Sequence, residues 1–434
     1  MVNKKLCLSG LIALSLVAAP GVAETKKNTK KPPAKPVATA QARQQTQRTQ
    51  PKPPAPTAAP VAAAPAAAAV QTPGVAFETK ARSAFMIDLS TGTVLLDKDA
   101  DRPIPPASMT KIMTIYLLFE QLKKNAITLD TTFMVSEKAW RTGGSKMFVP
   151  LGKPVRVEDL IRGIIIQSGN DASVVVAEGL GGDEARFAEM MNRKAAELGM
   201  KNSHFLNPDG LPAEGHVMSA HDLAILALRT MQDFPEYYHY YSEQEFVFNG
   251  IKQGNRNPLL YDVAGADGLK TGHTEEAGFG LVASAVRDGR RLIMVLTGLA
   301  NMKERSEESR RVMEYGFREF ETVKLFSAGQ TVDQAEVWMG QASHVGLLTD
   351  RDVILSVRRD ERQNIKATTV LTTPVPAPIA GGTPLATLKV SIPNRPDMTI
   401  PLLAQAPVER LGFLGRIEAG IVYLLSGAPA PAAQ

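Results

Sequence analysis

The chain has 434 residues, of which 44% are hydrophobic, so it can bury a sizeable core in one large domain or a few ordinary ones. Its formal net charge of +5 is concentrated near the amino terminus, which argues against a nucleic-acid-binding face on the folded part. The single cysteine, Cys7, lies in an export-signal-like segment, which excludes disulfide bonds and thiol catalysis in the processed protein.

The first 75 residues read as two segments that precede the folded protein. Residues 1–23 combine two lysines, an apolar run and a small-residue cleavage site, the pattern of a secretory signal peptide. Residues 24–75 are mainly Ala, Pro, Gln, Thr and Lys, and such a stretch buries too little apolar surface to offset its ordering entropy. We predict export, followed by a disordered linker that serves as a spacer or contacts anionic polymers.

From about residue 81 the apolar pattern predicts strands at both ends of a segment, with helices between them. The predicted strands are 83–88, 93–96, 279–287 and 291–297. The predicted helices are 110–124, 156–168, 171–180, 183–198, 219–232 and 304–321. Hairpins that flank a run of helices predict the α+β class, with one antiparallel sheet packed against a helical cluster.

The tetrad Ser108-Met109-Thr110-Lys111 places a hydroxyl and an amine one helical turn apart, on the same side of a helix. Serine is a weak nucleophile that needs a base, and lysine can be that base if burial or another cation lowers its pKa. Prolines 103, 105 and 106 precede the tetrad, so Ser108 must lie at the first turn of the following helix. Free backbone N–H groups there favour a developing oxyanion.

Two further motifs follow the tetrad, Ser168-Gly169-Asn170 and Lys270-Thr271-Gly272. Each is weak evidence alone, but the ordered set predicts a serine acyl-transfer site without a histidine base. The Lys270 run is a predicted strand, whose glycine permits close approach of a substrate backbone. Its lysine is the candidate cation that lowers the pKa of Lys111.

With these motifs in place, residues 81–322 resemble the D-alanyl-D-alanine carboxypeptidases of the type 5 and type 6 low-molecular-weight penicillin-binding proteins. The likeness extends to the residues flanking the motifs, such as Pro105-Pro106-Ala107 and Asp267-Gly268-Leu269, and to Asn255-Arg256-Asn257. It implies a β-lactamase-like transpeptidase domain with no cofactor and no metal. The implied activity is removal of the terminal D-alanine from peptidoglycan pentapeptides, with β-lactams as inhibitors.

The resemblance also implies a role for each candidate residue. Ser108 would be the nucleophile, Lys111 its neutral base, and Ser168 the relay that returns a proton to the leaving D-alanine. The implied substrate-binding residues are Asn170, Lys270, Thr271, Gly272, His273 and Arg256. Asn170 would hold the substrate amide or orient Lys111.

Three of these assignments concern charge on the substrate. Lys270 would attract its terminal carboxylate, and Thr271 would hydrogen-bond that carboxylate or the acyl chain. The N–H groups of Ser108 and His273 would form the oxyanion hole. Arg256 would steady the same carboxylate, and an ordinary surface ion pair is the alternative for it.

The remaining chain predicts a second domain and a tail. Alternating apolar runs divide the chain into a catalytic domain at 76–322 and a small all-β domain at 323–408. Residues 409–434 include an amphipathic run with few cations, for which we predict contact with a membrane surface. The resulting location is the periplasm, with peripheral contact to the inner membrane as an option.

Other functions compete with this interpretation. Class A β-lactamases share the three motifs, but residues 205–210 lack the glutamate that activates water for deacylation. An endopeptidase acting on wall crosslinks would use the same residues, and a wall-binding scaffold would use the β domain and the basic linker.

His216 and His221 are five residues apart, but no third ligand follows at a zinc-site spacing, so we predict no metal.

Overall fold

The computed structural model describes residues 77–372, 374–393 and 397–426. The predicted signal peptide, the whole of the predicted linker and the end of the tail lie outside these ranges, so they stay predictions. Within the described part, a mixed domain built on a five-stranded antiparallel sheet is followed by a domain made of strands.

The first domain carries its main sheet on strands from both ends of the segment. These strands are β1 (Ser83–Asp88), β2 (Thr93–Lys98), β7 (Ala266–Thr274), β8 (Gly278–Arg287) and β9 (Arg290–Leu299). Every neighbouring pair is antiparallel, in the order β2-β1-β9-β8-β7, so β7 lies at one edge. Two small hairpins are formed by β3 (Thr132–Met134) with β4 (Pro154–Arg156), and by β5 (Glu245–Phe248) with β6 (Ile251–Gly254).

Helices cover both faces of this sheet. In chain order they are α1 (Lys111–Lys123), α2 (Glu137–Arg141), α3 (Val157–Ile165), α4 (Asn170–Gly181), α5 (Glu184–Leu198), α6 (Ala220–Asp233), α7 (Leu259–Asp262) and α8 (Met302–Glu319). One apolar core joins α1 and α3–α6 to one face of the sheet, and a second core joins α8 to the opposite face. The sheet is therefore the middle layer of three.

Helix boundaries follow local capping chemistry. Ser136, Asp183, Ser219 and Asn301 each precede a helix, and each side chain accepts a hydrogen bond from a backbone N–H in the first turn. Gly199 ends α5 with a φ of 78°, the left-handed conformation that a glycine adopts without strain.

The second domain contains the remaining strands. They are β10 (Phe320–Phe326), β11 (Thr331–Trp338), β12 (His344–Leu348), β13 (Val353–Arg358), β14 (Lys366–Leu371), β15 (Val375–Pro376), β16 (Pro384–Ser391) and β17 (Met398–Ala404). A sheet in the order β14-β16-β17-β12-β11-β15 and the β10–β13 pair enclose their own apolar core. The chain then forms α9 (Phe413–Ser426).

The α+β class with a following all-β domain is confirmed. Two helix ends differ from their predictions: α3 ends at Ile165 instead of residue 168, and α8 ends at Glu319, so that the predicted helical residue Phe320 begins β10. Phe320 is nevertheless buried in the core beneath α8, which explains why it fitted the apolar face of the predicted helix.

Candidate active site

Ser108 lies on a short 3-10 helix, Ala107–Thr110, that runs directly into α1, whose first residue is Lys111. The lysine is fully buried, whereas the serine is partly accessible. Lys111 Nζ lies 2.9 Å from Ser108 Oγ, 2.7 Å from Asn170 Oδ1 and 2.5 Å from the carbonyl oxygen of Asp209. The serine and lysine of the tetrad are therefore in direct contact.

The two carbonyl partners of Lys111 can only accept hydrogen bonds. A neutral amine has two N–H bonds, so donation to Asn170 and to the Asp209 carbonyl uses both of them. The lone pair of the amine is then directed toward Ser108, the one partner with a proton to give. This arrangement orients a neutral lysine as a base for the serine.

A second amine–hydroxyl pair lies beside the first. Lys270 Nζ donates to Ser168 Oγ at 2.9 Å and to the carbonyl of Thr271 at 3.1 Å. Ser168 occupies the turn between α3 and α4 with a φ of 60°, a left-handed conformation that is uncommon for serine. Both side chains are almost fully buried.

Strand β7 brings Lys270 against the short helix that carries the serine. A Cβ at Gly272 would lie 2.9 Å from the carbonyl oxygen of Pro106 and 3.3 Å from the Cβ of Ala107. Glycine is therefore required at this contact. Thr271 is buried on the same strand, whereas the exposed ring of His273 stacks on Phe279 with centroids 3.8 Å apart.

The amines of the site are shifted toward their neutral forms. Burial lowers the pKa of Lys111 to about 8, an effect that Asp209 opposes and Arg256 reinforces. Burial also lowers the pKa of Lys270 well below its usual value, and the charges of Lys111, Arg256 and Arg305 lower it further. Desolvation is thus the largest cause for both lysines. The cation that lowers the pKa of Lys111 is Arg256 and not Lys270 as predicted, whereas Lys111 lowers the pKa of Lys270.

Two arginines extend the cationic surroundings. Arg256 is exposed, and its Nη1 donates to Ser145 Oγ at 2.6 Å. Arg305 is buried, donates from Nη2 to the carbonyl of Arg256 at 3.3 Å, and has a pKa lowered to about 10 by burial and by Arg256. In the part of the chain that the structure describes, neither arginine has a carboxylate partner within 4.0 Å. The site therefore attracts anions.

The two histidines considered as metal ligands have other partners. His216 is buried with its Nε2 3.0 Å from Thr110 Oγ1, and burial lowers its pKa to about 4. His221 Nδ1 lies 2.9 Å from a carboxylate oxygen of Asp101. Among the described residues, no group of three or more His, Cys, Asp or Glu side chains is arranged to hold a metal ion.

The structure adds contacts that the sequence did not indicate. The Asp209 carbonyl accepts from Lys111, Ser145 Oγ accepts from Arg256, and the carbonyl of Gly143 accepts from Asn170 Nδ2 at 2.9 Å. These contacts use loop backbone or a small hydroxyl. No residue-type pattern marks a backbone carbonyl, so no sequence signal was available for Asp209 or Gly143.

Fold and site together define a serine acyl-transfer enzyme, and comparisons with known proteins name its family. A profile described as D-alanyl-D-alanine carboxypeptidase matches residues 66–301, and one described as penicillin-binding protein 5, C-terminal domain, matches residues 320–410. The chain is 37% identical over 353 residues to D-alanyl-D-alanine carboxypeptidase DacA of Escherichia coli strain K12, covering 80% of this chain and 87% of that protein. This chain belongs to the D-alanyl-D-alanine carboxypeptidase family of serine peptidases, as the motifs predicted.

Solved structures agree with this assignment. Penicillin-binding protein 5 from Haemophilus influenzae aligns with a TM-score of 0.68 at 36% identity, covering 77% of this chain and 98% of that one. The ampicillin-bound form of penicillin-binding protein D2 from Listeria monocytogenes aligns with a TM-score of 0.52 at 29% identity, covering 56% of this chain and 99% of that one. The predicted resemblance to penicillin-binding proteins is confirmed.

Proposed function

We propose that this protein is a serine-type carboxypeptidase that removes the terminal D-alanine from peptidoglycan stem pentapeptides through an acyl-enzyme on Ser108. The observation that carries the proposal is the contact of Lys111 Nζ with Ser108 Oγ at 2.9 Å, with both other lysine partners restricted to accepting. The names of the relatives supply the substrate class.

In the proposed acylation step, Ser108 Oγ bonds to the carbonyl carbon of the penultimate D-alanine, and its proton moves to neutral Lys111. The C–N bond to the terminal residue then breaks, and the leaving amine receives a proton through Ser168, since a hydroxyl both donates and accepts. Water completes the cycle by releasing the shortened peptide from Ser108. Charged Lys270 would supply the proton that Ser168 passes to the leaving amine, across their 2.9 Å contact, and would recover a proton from the attacking water through Ser168. Lys111 would return its proton to Ser108 Oγ as the ester is hydrolysed.

The substrate carboxylate is the proposed ligand of the cationic surroundings. Lys270, Thr271 and Arg256 would bind it, because the site holds several cations with no carboxylate within 4.0 Å of either arginine in the described residues. A carboxylate beside Lys270 would raise the pKa of that lysine and favour its charged form. The N–H groups of Ser108 and His273 are the proposed oxyanion donors.

We also propose that β-lactams acylate Ser108 and leave slowly. A related penicillin-binding protein has been solved with ampicillin bound. Residues 205–210 contain no glutamate to activate water, and Asp209 contributes its backbone carbonyl to Lys111. Slow deacylation corresponds to inhibition of this protein by penicillin.

The test is mass spectrometry of a muropeptide mixture that holds both free pentapeptide and crosslinked dimer. We expect the wild-type protein to remove one D-alanine from the pentapeptide and Ser108→Ala to remove none. Cleavage of the dimer while pentapeptide persists would instead establish the endopeptidase. If neither substrate changes, the serine site is idle and a wall-binding scaffold role takes precedence.

For location, we propose an exported protein that touches the membrane surface through α9. The support is a row of exposed apolar side chains on this helix: Phe413, Leu414, Ile417 and Ile421, at 70%, 80%, 48% and 52% exposure. No helix in the described residues has the length and apolar character needed to cross a bilayer. Such a face suits an interfacial helix.

Sedimentation with vesicles of anionic phospholipid tests this placement. We expect wild-type protein to co-sediment and Leu414→Glu to stay in solution. The control is Val370→Glu, which changes an apolar side chain of β14 that is 56% exposed. Equal binding by all three proteins, or by none of them, would contradict the proposed contact.

We further propose that the catalytic domain and the β domain divide at about residues 322–323, within β10. Strand β10 follows α8 directly and pairs with β13 of the second domain. The separate cores on either side of this strand support the division.

A further inference from the structure

A loop between α2 and β4 borders the active site and contacts it through its backbone. This segment, residues 143–149, is called the 143–149 loop below. Its Gly143 carbonyl accepts from Asn170 Nδ2 at 2.9 Å, and its Ser145 carbonyl accepts from the Asn170 backbone N–H at 2.7 Å. The Ser145 hydroxyl accepts from Arg256 at 2.6 Å. The loop therefore holds both the backbone and the side chain of Asn170.

The same loop is fixed from its buried side by a carboxylate. Asp171, which is 1% exposed, accepts at Oδ1 from the N–H of Met147 at 2.8 Å. At Oδ2 it accepts from the N–H groups of Phe148 at 2.8 Å and Val149 at 3.2 Å. No salt-bridge partner of Asp171 exists among the residues that the structure describes. Three consecutive loop N–H groups thus satisfy a buried negative charge.

The loop adopts a conformation that presents its N–H groups to this carboxylate. Phe148 has a φ of 67°, a left-handed conformation that is unfavourable for a bulky residue. Such a residue directs successive N–H groups into one concave anion-binding site. An amide in place of the carboxylate would turn an NH2 group toward at least one of these donors and leave it without an acceptor.

We propose that Asp171 is a positioning residue for acylation: its carboxylate fixes the 143–149 loop, which in turn fixes the Asn170 amide that receives the Lys111 N–H. The proposal rests on the function proposed above. The orientation of the Asn170 amide matters for catalysis. Its Nδ2 faces the Gly143 carbonyl, so its Oδ1 faces Lys111 and accepts the lysine N–H. If the loop moves away, the amide can rotate and the lysine lone pair loses its fixed direction toward Ser108.

The test compares Asp171→Asn with Asp222→Asn. Asp222 is also a buried carboxylate that accepts from a loop N–H, that of Asn202 at 2.7 Å, and from the Ser203 hydroxyl at 2.8 Å, but none of these three residues contacts the catalytic groups. We expect Asp171→Asn to lower kcat and the acylation rate by about 10- to 100-fold, with KM changed less than about threefold. Asp222→Asn should keep the wild-type rate at a similar loss of melting temperature.

A spectroscopic measurement follows the loop without using activity. The chain has two tryptophans, and Trp140 lies on α2 directly before the loop, where its carbonyl accepts from Lys146 Nζ at 2.7 Å. In a Trp338→Phe background, fluorescence reports Trp140 alone. We expect acrylamide quenching of Trp140 to increase in Asp171→Asn and to stay unchanged in Asp222→Asn.

A second pair of variants applies if Asp171→Asn does not fold. Gly144 and Gly152 both have positive φ, 76° and 67°, so alanine brings similar backbone strain at either position. A Cβ at Gly144 would lie 2.7 Å from Asn170 Nδ2, whereas a Cβ at Gly152 would meet nothing within 4 Å. We expect Gly144→Ala to lower the acylation rate about 10-fold or more, and Gly152→Ala to retain it.

The outcomes separate this inference from the proposed function. A wild-type protein without carboxypeptidase activity would refute the proposed function, and the Trp140 measurement would still test whether Asp171 holds the loop. An active wild type with Asp171→Asn equal to Asp222→Asn in rate and quenching would overturn the inference. So would a rise in KM at unchanged kcat, because Asn170 would then serve substrate binding only.

Discussion

Lys111 is a buried amine, and its surroundings stabilise its charged form only weakly. Its three partners are a hydroxyl and two carbonyl oxygens, and the nearby Arg256 is another cation. Moving a charge out of water is costly unless it is paired, so such a group releases its proton at a lower pH. The residue types alone make this base conceivable, but burial makes it effective near neutral pH.

We expect acylation by penicillin to rise with pH along an acid limb with an apparent pKa of about 8. Below that pH Lys111 is protonated and cannot accept the proton of Ser108, so the rate should fall about tenfold per pH unit. Stopped-flow acylation rates between pH 5 and about 10 measure this limb. A rate that stays flat across this range would show that Lys111 is not the base.

The position of the acid limb should respond to neighbouring charges with opposite signs. Arg256 lowers the pKa of Lys111 and Asp209 raises it. Arg256→Gln should therefore move the limb to higher pH, and Asp209→Asn should move it to lower pH. The same stopped-flow profiles check both shifts, and displacement of both limbs in one direction would contradict the electrostatic assignment.

At the scale of elements, the site is formed where an edge strand meets a helix terminus. Strand β7 carries Lys270 and Gly272, and the 3-10 helix Ala107–Thr110 carries Ser108. Their separation is set at Gly272, where a side chain has no room. The proline run and the glycine motif were visible in the sequence, but the contact between them was not.

Replacing Gly272 with alanine should push β7 away from the helix that carries Ser108. The added Cβ would lie 2.9 Å from the carbonyl of Pro106 and 3.1 Å from Met109 Cγ, so one of the two elements must move. We expect a loss of about 1–3 kcal/mol in the free energy of unfolding. The acylation rate should fall about 10- to 100-fold, because the two catalytic pairs separate.

The control for this change is Gly254→Ala on strand β6. Its added Cβ would meet its nearest neighbour, Tyr261 Oη, at an ordinary distance of 3.6 Å. Chemical denaturation and penicillin acylation are measured for both variants. Equal acylation rates in Gly272→Ala and Gly254→Ala would show that the approach of β7 does not limit the reaction.

At the scale of the whole molecule, a buried polar contact joins the two domains. Asp88 of β1 is fully buried and lies 2.5 Å from Arg290 Nε of β9, while Ser356 of β13 donates to it at 2.6 Å. Arg290 also donates to the carbonyl of Phe320, at the start of β10. The β domain is thus attached through a carboxylate that needs both partners.

Arg290→Met should destabilise the protein by about 3–5 kcal/mol, because Asp88 would keep a buried charge without its cation. The control is Arg359→Met, whose partner Glu321 lies 3.5 Å away and whose side chain is 61% exposed; its loss should cost less than about 1 kcal/mol. Calorimetric unfolding measures both. A loss for Arg290→Met no greater than that for Arg359→Met would mean that water reaches Asp88.

The sequence by itself determined the α+β class, most helices and strands, and the three motifs, because periodicity, capping and proline positions are local properties of the chain. It also determined the family, since the motifs and their flanks are unbroken runs of residues. The tertiary structure decided which backbone carbonyls orient Lys111, how Asp171 reaches the 143–149 loop, and which groups face Asp88. These contacts join segments distant in sequence, and burial of the amines exists only once those segments pack together.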